Sequence, residues 1–380
     1  MNICFFMHNS ISNKDGASLS LKNISEELVN RGHTVYVVYP SRNQIENALS
    51  KSTINIEVRS YSMRIKSDEV NIKKFLYLPK VMLNRLAAKK VFNILKDKDI
   101  DIIHINGINN EVGALVAKML KIPYVWHIRA FLEEDLGQTL FNKNYMYDLL
   151  KKADRLIGIS KSICTKYKKV LEREVDLIYN GVPIQDYIIN EDHAFIVNTI
   201  PTIQVAGRIT SKKGQMDAVK AVKILIDKGI PVNLYLVGYG VDDYYKKIID
   251  YIEENNLTDY IKVEPYSEDL RNKRKITDIG LVTSVNEAFG RVTIENFLSK
   301  MLCIGSDTGG TAELIGSNYG LLYKQGDASD LAKKIEYAID IKNRNIVYDF
   351  INNAFKFSLE NFSISRVVDE IEDIYYRVLE

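Results

Sequence analysis

Short runs of uninterrupted apolar residues, each followed by a polar loop and an amphipathic stretch, recur from one end of this chain to the other. Ile3–Met7, Thr34–Tyr39, Ile102–Ile105, Tyr124–Ile128, Leu156–Ile159 and Leu177–Tyr179 are such runs. Helical candidates separate them, the first being Ser18–Asn30, closed by Arg31-Gly32. A strand that is apolar on both faces must be covered on both faces, so the alternation predicts parallel sheets sandwiched by helices. The theme restarts at Thr202–Ala206. Helix Met216–Asp227, strand Asn233–Val237, helix Asp243–Glu254 and strands at Ile279–Thr283, Leu302–Ser306 and near Leu321 follow. A length of 380 residues exceeds one ordinary core and fits two such α/β domains. The polar stretch Gln185–Thr199 reads as their linker. Ser363–Glu380 carries Val367, Val368, Ile371, Ile374 and Tyr375 at helical spacing, a stripe that has to be buried somewhere. Ligands of parallel-sheet domains bind beyond the carboxyl ends of the strands, with the crevice between domains the default site.

A net charge of +2 gives no argument for nucleic-acid binding. Cys4, Cys164 and Cys303 are far apart and form no CxxC pair, which argues against a disulfide framework or a zinc site and for small buried hydrophobes. The opening MNICFFMHNS lacks a basic flank and is interrupted by His8 and Asn9, so it reads as a first strand rather than a signal peptide. No stretch approaches the roughly 20 apolar residues that span a bilayer. A cytoplasmic protein is the expectation.

Two strand-end loops carry the chemistry. Gly207-Arg208-Ile209-Thr210-Ser211-Lys212-Lys213-Gly214 follows strand Thr202–Ala206 and runs into a helix. Glycine allows close backbone approach, a helix N-terminus offers free N–H groups, and Arg208 and Lys213 can neutralise a diphosphate. Taken alone, the loop reads equally well as a solvated basic turn, and it is not a GxxxxGK[ST] loop. The second stretch, Glu287-Ala288-Phe289-Gly290-Arg291-Val292-Thr293-Ile294-Glu295, follows strand Ile279–Thr283. Gly290 is expected near a helix start, with the amides of Phe289, Gly290 and Arg291 turned to an anion and Glu295 on the helix. Two carboxylates beside such a turn suit sugar and ribose hydroxyls, although either glutamate singly reads as a surface or capping charge.

GRITSKKG followed by EAFGRVTIE resembles glycosyltransferase family 4, the retaining GT-B enzymes. Gly158-Ile159-Ser160, Asn180-Gly181-Val182 and Gly309-Gly310-Thr311-Ala312-Glu313 resemble further pieces of that family in the same order along the chain. The resemblance implies two Rossmann-like parallel-sheet domains facing a central cleft, at about 1–183 and 184–362, with helix 363–380 crossing back onto the first. It implies that Arg208 and Lys213 hold the donor pyrophosphate, with Phe289, Gly290 and Arg291 at the same turn. Glu295 would bond the ribose, and Glu287 the transferring sugar. Gly16, in Asp15-Gly16-Ala17-Ser18, would approach the β-phosphate, and His127 would face the anomeric centre. Front-face transfer, with the departing phosphate helping to take the acceptor proton, would then need neither an enzyme nucleophile nor a metal, and no cofactor. The chain departs from the family at Val263-Glu264-Pro265-Tyr266, so no base-recognising residue is carried over there. Asp97-Lys98-Asp99-Ile100-Asp101 has the look of a metal-binding DxD but precedes a strand, the wrong end for a ligand, and reads as a solvated turn.

Between 59 and 98, Arg64, Lys66, Lys73, Lys74, Lys80, Arg85, Lys89, Lys90 and Lys96 face few acids and alternate with Phe75, Leu76, Tyr77, Leu78, Val81, Met82 and Leu83. The stretch reads either as a helix with a solvated basic face or as one that lies on an anionic leaflet. The expected partners are a nucleotide-diphosphate sugar, UDP-linked before GDP-linked, and a saccharide or lipid-linked saccharide acceptor of a surface polysaccharide. A sugar-nucleotide epimerase and a non-catalytic partner on the same fold are the alternatives.

Overall fold

A computed structural model describes residues 1–7, 16–40, 50–69, 73–134, 137–189, 200–267 and 269–380. Asp15, the residues 190–199 of the linker and the residues 70–72 of the basic stretch lie outside them. The chain divides into two compact units, Met1–Val182 with Ile364–Glu380, and Pro183–Ser363.

The first unit is built on a parallel sheet of seven strands. In chain order these are β1 (Asn2–Phe6), β2 (Thr34–Pro40), β3 (Ile54–Val58), β5 (Ile102–Asn106), β6 (Tyr124–Ile128), β8 (Arg155–Gly158) and β9 (Asp176–Leu177), arranged β3-β2-β1-β5-β6-β8-β9. A short antiparallel pair, β4 (Arg64–Lys66) with β7 (Gln138–Leu140), stands apart. Helices α1 (Gly16–Asn30), α2 (Tyr77–Leu95), α3 (Glu111–Leu120), α4 (Lys143–Lys151) and α5 (Lys161–Leu171) connect the strands. The helix starts follow side-chain chemistry: Asn110, Asn142 and Ser160 each accept a hydrogen bond from a first-turn amide of α3, α4 and α5.

The second unit has a parallel sheet in the order β12-β11-β10-β13-β14-β15. Its strands are β10 (Thr202–Ala206), β11 (Asn233–Val237), β12 (Ile261–Glu264), β13 (Ile279–Val282), β14 (Leu302–Ser306) and β15 (Leu321–Tyr323). Helices α6 (Gln215–Asp227), α7 (Asp243–Glu254), α8 (Arg271–Arg274), α9 (Arg291–Leu298), α10 (Gly309–Ile315), α11 (Ala328–Ile339) and α12 (Arg344–Asn361) accompany them. In both sheets the sequence order reverses direction beside a central strand, β1 or β10, which is where doubly wound sheets leave room for a ligand.

Two strands invisible to the apolar-run rule, β3 (INIEV) and β12 (IKVE), lie at sheet edges. An edge strand is covered on one face only, so it alternates polar with apolar residues instead of forming a continuous run.

The last helix, α13 (Ile364–Leu379), buries Val367, Val368, Ile371, Ile374 and Tyr375 in the first unit's core, against Leu21, Ile24 and Leu28 of α1 and apolar residues of β1 and β2. At its start the Arg31 guanidinium, just past α1, donates to Asp369 (2.6 Å), Glu372 (2.5 Å) and the Ser365 carbonyl (2.9 Å). Hydrophobic burial supplies the affinity of α13 for this core, and the charged cluster fixes its register. Replacing a fully buried Ile371 by alanine is expected to cost about 2–5 kcal/mol. Denaturant unfolding of the Ile371→Ala variant checks this; an unchanged midpoint would mean that α13 is not part of the cooperative core.

Candidate functional site

The site in the second unit is assembled where β10, β13 and β14 end side by side. After β10, residues Gly207–Gly214 form a loop with a single 3-10 turn at Ser211–Lys213, and α6 begins directly after Gly214. Gly214 has φ +63, and a Cβ there would run into the Thr283 carbonyl, so only glycine fits. The loop after β13 grips this segment: the Thr283 hydroxyl donates to the Lys213 carbonyl (2.8 Å) and the Val285 amide to the Lys212 carbonyl (2.9 Å). The third loop, after β14, closes on the second. Ser306 donates to the Ser284 carbonyl (2.7 Å), Thr308 to the Val285 carbonyl (2.8 Å) and the Gly310 amide to the Glu287 carbonyl (2.7 Å). A Cβ at Gly310 would collide with the Phe289 backbone, which explains the paired glycines of the GGTAE segment.

These backbone contacts bring side chains 74 positions apart together: the Lys213 ammonium donates to the Glu287 carboxylate. The Ser284 hydroxyl donates to the same oxygen at 2.7 Å. Burial pushes the Glu287 carboxyl up, but Lys213 and Ser284 outweigh it and hold the group below its usual range. Gly290, at φ +93, caps α9; the Thr293 amide donates to the Gly290 carbonyl (2.9 Å), while the amides of Arg291 and Val292 precede the intrahelical ladder. Beside Gly290 lie the hydroxyls of Thr293 and Thr311, buried and without a hydrogen-bond partner among the described residues. Phe289 is buried and packs edge-on against Phe362.

Glu295 lies on α9 between two arginines. Arg274 donates to it at 2.6 Å, and Arg291 Nε is 3.9 Å from its other oxygen. Arg274 is itself buried and lies over the Tyr187 ring at 5.1 Å. Sequence reading missed Arg274, Ser284 and Gln215, the last of which holds the loop by donating to the Arg208 carbonyl (2.8 Å). Arg274 and Gln215 carry no mark in their spacing because each partner lies on a different element, whereas Ser284 lies three residues before Glu287 in the same loop. The Arg208 side chain is exposed and makes no ion pair among the described residues. The structure therefore pairs Lys213 with Glu287 before the Gly290 turn and sets Arg291 beside Glu295 after it, with Phe289 packed in the turn and Arg208 on the Lys213 loop.

Gly16 and His127 belong to the first unit. Gly16 is the first residue of α1. His127, on β6, is buried, with Nδ1 3.1 Å from His104 Nε2 on the neighbouring β5. Just past the end of β6 comes Arg129, a buried cation that donates to Asn106 (2.7 Å), Ser20 (2.9 Å) and the Asn180 side-chain oxygen. This gives Asn180-Gly181-Val182 a structural reason: Asn180 is a neutral acceptor for a buried guanidinium. The Asp97–Asp101 turn is likewise structural, with Asp101 accepting from the Asn2 amide at 2.7 Å. Cys4, Cys164 and Cys303 are free thiols, Cys4 and Cys303 fully buried.

Desolvation, then the Arg129 charge, keeps His127 well below the usual 6.5, and His104 behaves alike. Both rings fold neutral, whereas in the unfolded chain they take up protons below pH 6.5. Their contribution to stability is complete above that value and is lost as pH falls, by up to about 1.4 kcal/mol per pH unit for each ring. The advantage of the native protein over a His127→Phe variant should shrink between pH 7.5 and 5.5 in urea unfolding; an advantage growing on acidification would show a charged His127.

Comparison with known proteins matches residues 14–186 to the family described as Glycosyltransferase Family 4 and residues 190–357 to Glycosyl transferases group 1. An uncharacterized glycosyltransferase of Methanocaldococcus jannaschii is 28% identical over 291 residues, 74% of this chain and 77% of that protein. N-acetyl-alpha-D-glucosaminyl L-malate synthase of Bacillus anthracis is 20% identical over 94% of this chain and 92% of its own length. Among solved structures, Anabaena HepE in complex with UDP has a TM-score of 0.81 at 20% identity, covering 99% of this chain and all of the other. With one unit matched to Glycosyltransferase Family 4, the other to Glycosyl transferases group 1, and its fold that of GT-B enzymes, this chain belongs to the family 4, group 1 glycosyltransferases.

Proposed function

We propose that the chain transfers a sugar, with retention of configuration, from a UDP-sugar to a saccharide or lipid-linked saccharide acceptor of a surface polysaccharide. The observation that carries this reading is the Lys213–Glu287 contact at the capped start of α9. It sets a cation, free helix amides and buried unpartnered hydroxyls beside one another, which suits the charge growing on a leaving diphosphate. Arg208 supplies a second cation from the same loop. Glu287, with one oxygen committed to Lys213 and Ser284, keeps its other oxygen for a hydroxyl of the transferring sugar. The same two contacts make it a weak nucleophile, which favours front-face attack, with the departing phosphate taking the acceptor proton, over a glycosyl-enzyme intermediate. Glu295, braced by Arg274, bonds the ribose, and His127 and Gly16 serve the donor from the first unit. With cations and amides supplying the positive charge, transfer needs no metal. UDP as the leaving group is favoured by its presence in the HepE complex.

Donor binding is expected to raise the melting temperature, since a ligand at 100 times its Kd stabilises by about 2.7 kcal/mol. Lys213→Ala and Arg208→Ala should each lose most of the shift given by UDP-sugars. A full shift in both variants would put the diphosphate elsewhere. Glu287→Gln should cut turnover far more than donor affinity, and EDTA should leave the rate unchanged.

The acceptor side is read from α2. Leu78, Met82 and Leu86 are 69%, 66% and 63% exposed, on a helix whose opposite face buries Val81, Asn84, Ala88 and Val91, and Phe75, in the 3-10 turn just before it, is 72% exposed. Leu78, Met82 and Leu86 recur every four residues, so they share one face, with Arg85, Lys89 and Lys90 exposed beside them. A solvated basic face does not account for an apolar stripe of this kind, whereas the interface of an anionic leaflet accommodates both. A groove of about 400 Å³ lined by Val58, Tyr61, Leu83 and Leu86 with Arg59 and Lys90 adjoins it. No helix among the described residues is long and apolar enough to cross a membrane, so the contact proposed is peripheral. The native protein should co-sediment with phosphatidylglycerol vesicles at low salt and a Leu78→Glu, Met82→Glu, Leu86→Glu variant should not; equal sedimentation of the two would remove the membrane from the reading.

A further inference from the structure

A chain of three buried polar side chains runs through the core of the first unit, and only its last member, His127, has a place in the proposed reaction. Tyr375, on α13, and His104, on β5, are 0% exposed, and His127, on β6, is 1% exposed. The Tyr375 hydroxyl lies 2.6 Å from His104 Nδ1, and His104 Nε2 lies 3.1 Å from His127 Nδ1. His127 Nε2 is buried and has no partner among the described residues.

Proton accounting gives this chain a direction. The hydroxyl of Tyr375 has His104 as its one hydrogen-bond partner among the described residues. If it accepted from His104, its own O–H would be left buried and unused, which is the costlier way to leave a hydroxyl. It therefore donates to His104 Nδ1. A neutral imidazole carries one N–H, so that of His104 is on Nε2 and is donated to His127 Nδ1. The proton of His127 is then on Nε2. Burial and the nearby Arg129 guanidinium keep both rings neutral, as this sequence of bonds requires.

We infer that Tyr375 and His104 are positioning residues that fix His127 as a neutral Nε2–H donor, aimed at an oxygen of the donor sugar. This rests on the reading of His127 as a donor-side residue and adds its protonation state and what sets it. In this state His127 is not a general base, because the lone pair of Nδ1 is occupied and Nε2 already holds the proton. It orients an oxygen without putting a cation beside an oxocarbenium-like sugar. The arrangement also makes α13 part of the catalytic apparatus: the C-terminal helix supplies the first proton of the series.

The test is nitrogen NMR of the intact protein with 15N-labelled histidine, of which the chain has five. His127 should show a protonated Nε2 and an unprotonated Nδ1 that accepts a hydrogen bond. In Tyr375→Phe, His104 is released to take either tautomer, so the His127 signals should become a mixture. Turnover should fall by about tenfold, of the order found when a partner that orients a functional histidine is removed, with KM for the donor little changed. A native His127 protonated on Nδ1, or doubly protonated, would overturn the proposal whether or not the variant folds. So would a folded Tyr375→Phe protein with native tautomers and native turnover. A protonated Nε2 together with full turnover in His127→Phe would leave the tautomer relay standing and remove His127 from the donor, while the Lys213 reading stands or falls on its own thermal shifts.

Discussion

The chemistry proposed for the second unit rests on the ion pair between Lys213 and Glu287. The two residues lie on loops after different strands, and they meet because Gly214 lets the backbone of the first loop press against Thr283 of the second. Glycines at 309 and 310 then let the third loop close on Glu287 and Phe289. Side chains longer than hydrogen at these positions would separate the loops and, with them, the charges. The pair sits in a partly desolvated place, where an uncompensated carboxylate would be costly, so each partner is needed by the fold as well as by the proposed reaction. Its position at the start of α9 adds the helix amides to the lysine cation, a combination suited to a polyvalent anion rather than to a lone carboxylate.

The first unit solves a different problem. Its last helix arrives from the far end of the sequence and must find one register on α1 and the sheet. Apolar burial along Val367, Val368, Ile371 and Ile374 holds it, and the Arg31 cluster fixes its position along α1. Tyr375 is the exception in that stripe. Its ring fills the core like its neighbours, while its hydroxyl meets His104 on β5 and so reaches the histidine on β6. Stability and the proposed function are joined at that residue.

Much of this was legible in the sequence because parallel sheets leave a strong trace. Central strands covered on both faces read as apolar runs, and helix Asp243–Glu254 appears in the structure at the same residues. Gly290 marked a helix start, and GRITSKKG and EAFGRVTIE marked the two loops. What escaped notice has a common physical cause: pairing across elements leaves no periodic signal. Arg274 braces Glu295 from 21 positions away, and edge strands β3 and β12 alternate where the central ones do not. His104 did leave a clue, a histidine inside the apolar run Ile102–Ile105. Tyr375 left none, since spacing shows only that it faces the core. Exposure of Leu78, Met82 and Leu86 was equally hidden, because a sequence does not say which of two apolar stripes on a helix is the inward one.

A crystal structure with UDP bound tests the central claim most directly. The β-phosphate should lie within about 3 Å of Lys213 Nζ and of amides in the turn at Phe289, Gly290 and Arg291, with the ribose at Glu295. A diphosphate bound elsewhere, with the Lys213–Glu287 pair untouched by any phosphate or sugar oxygen, would contradict it.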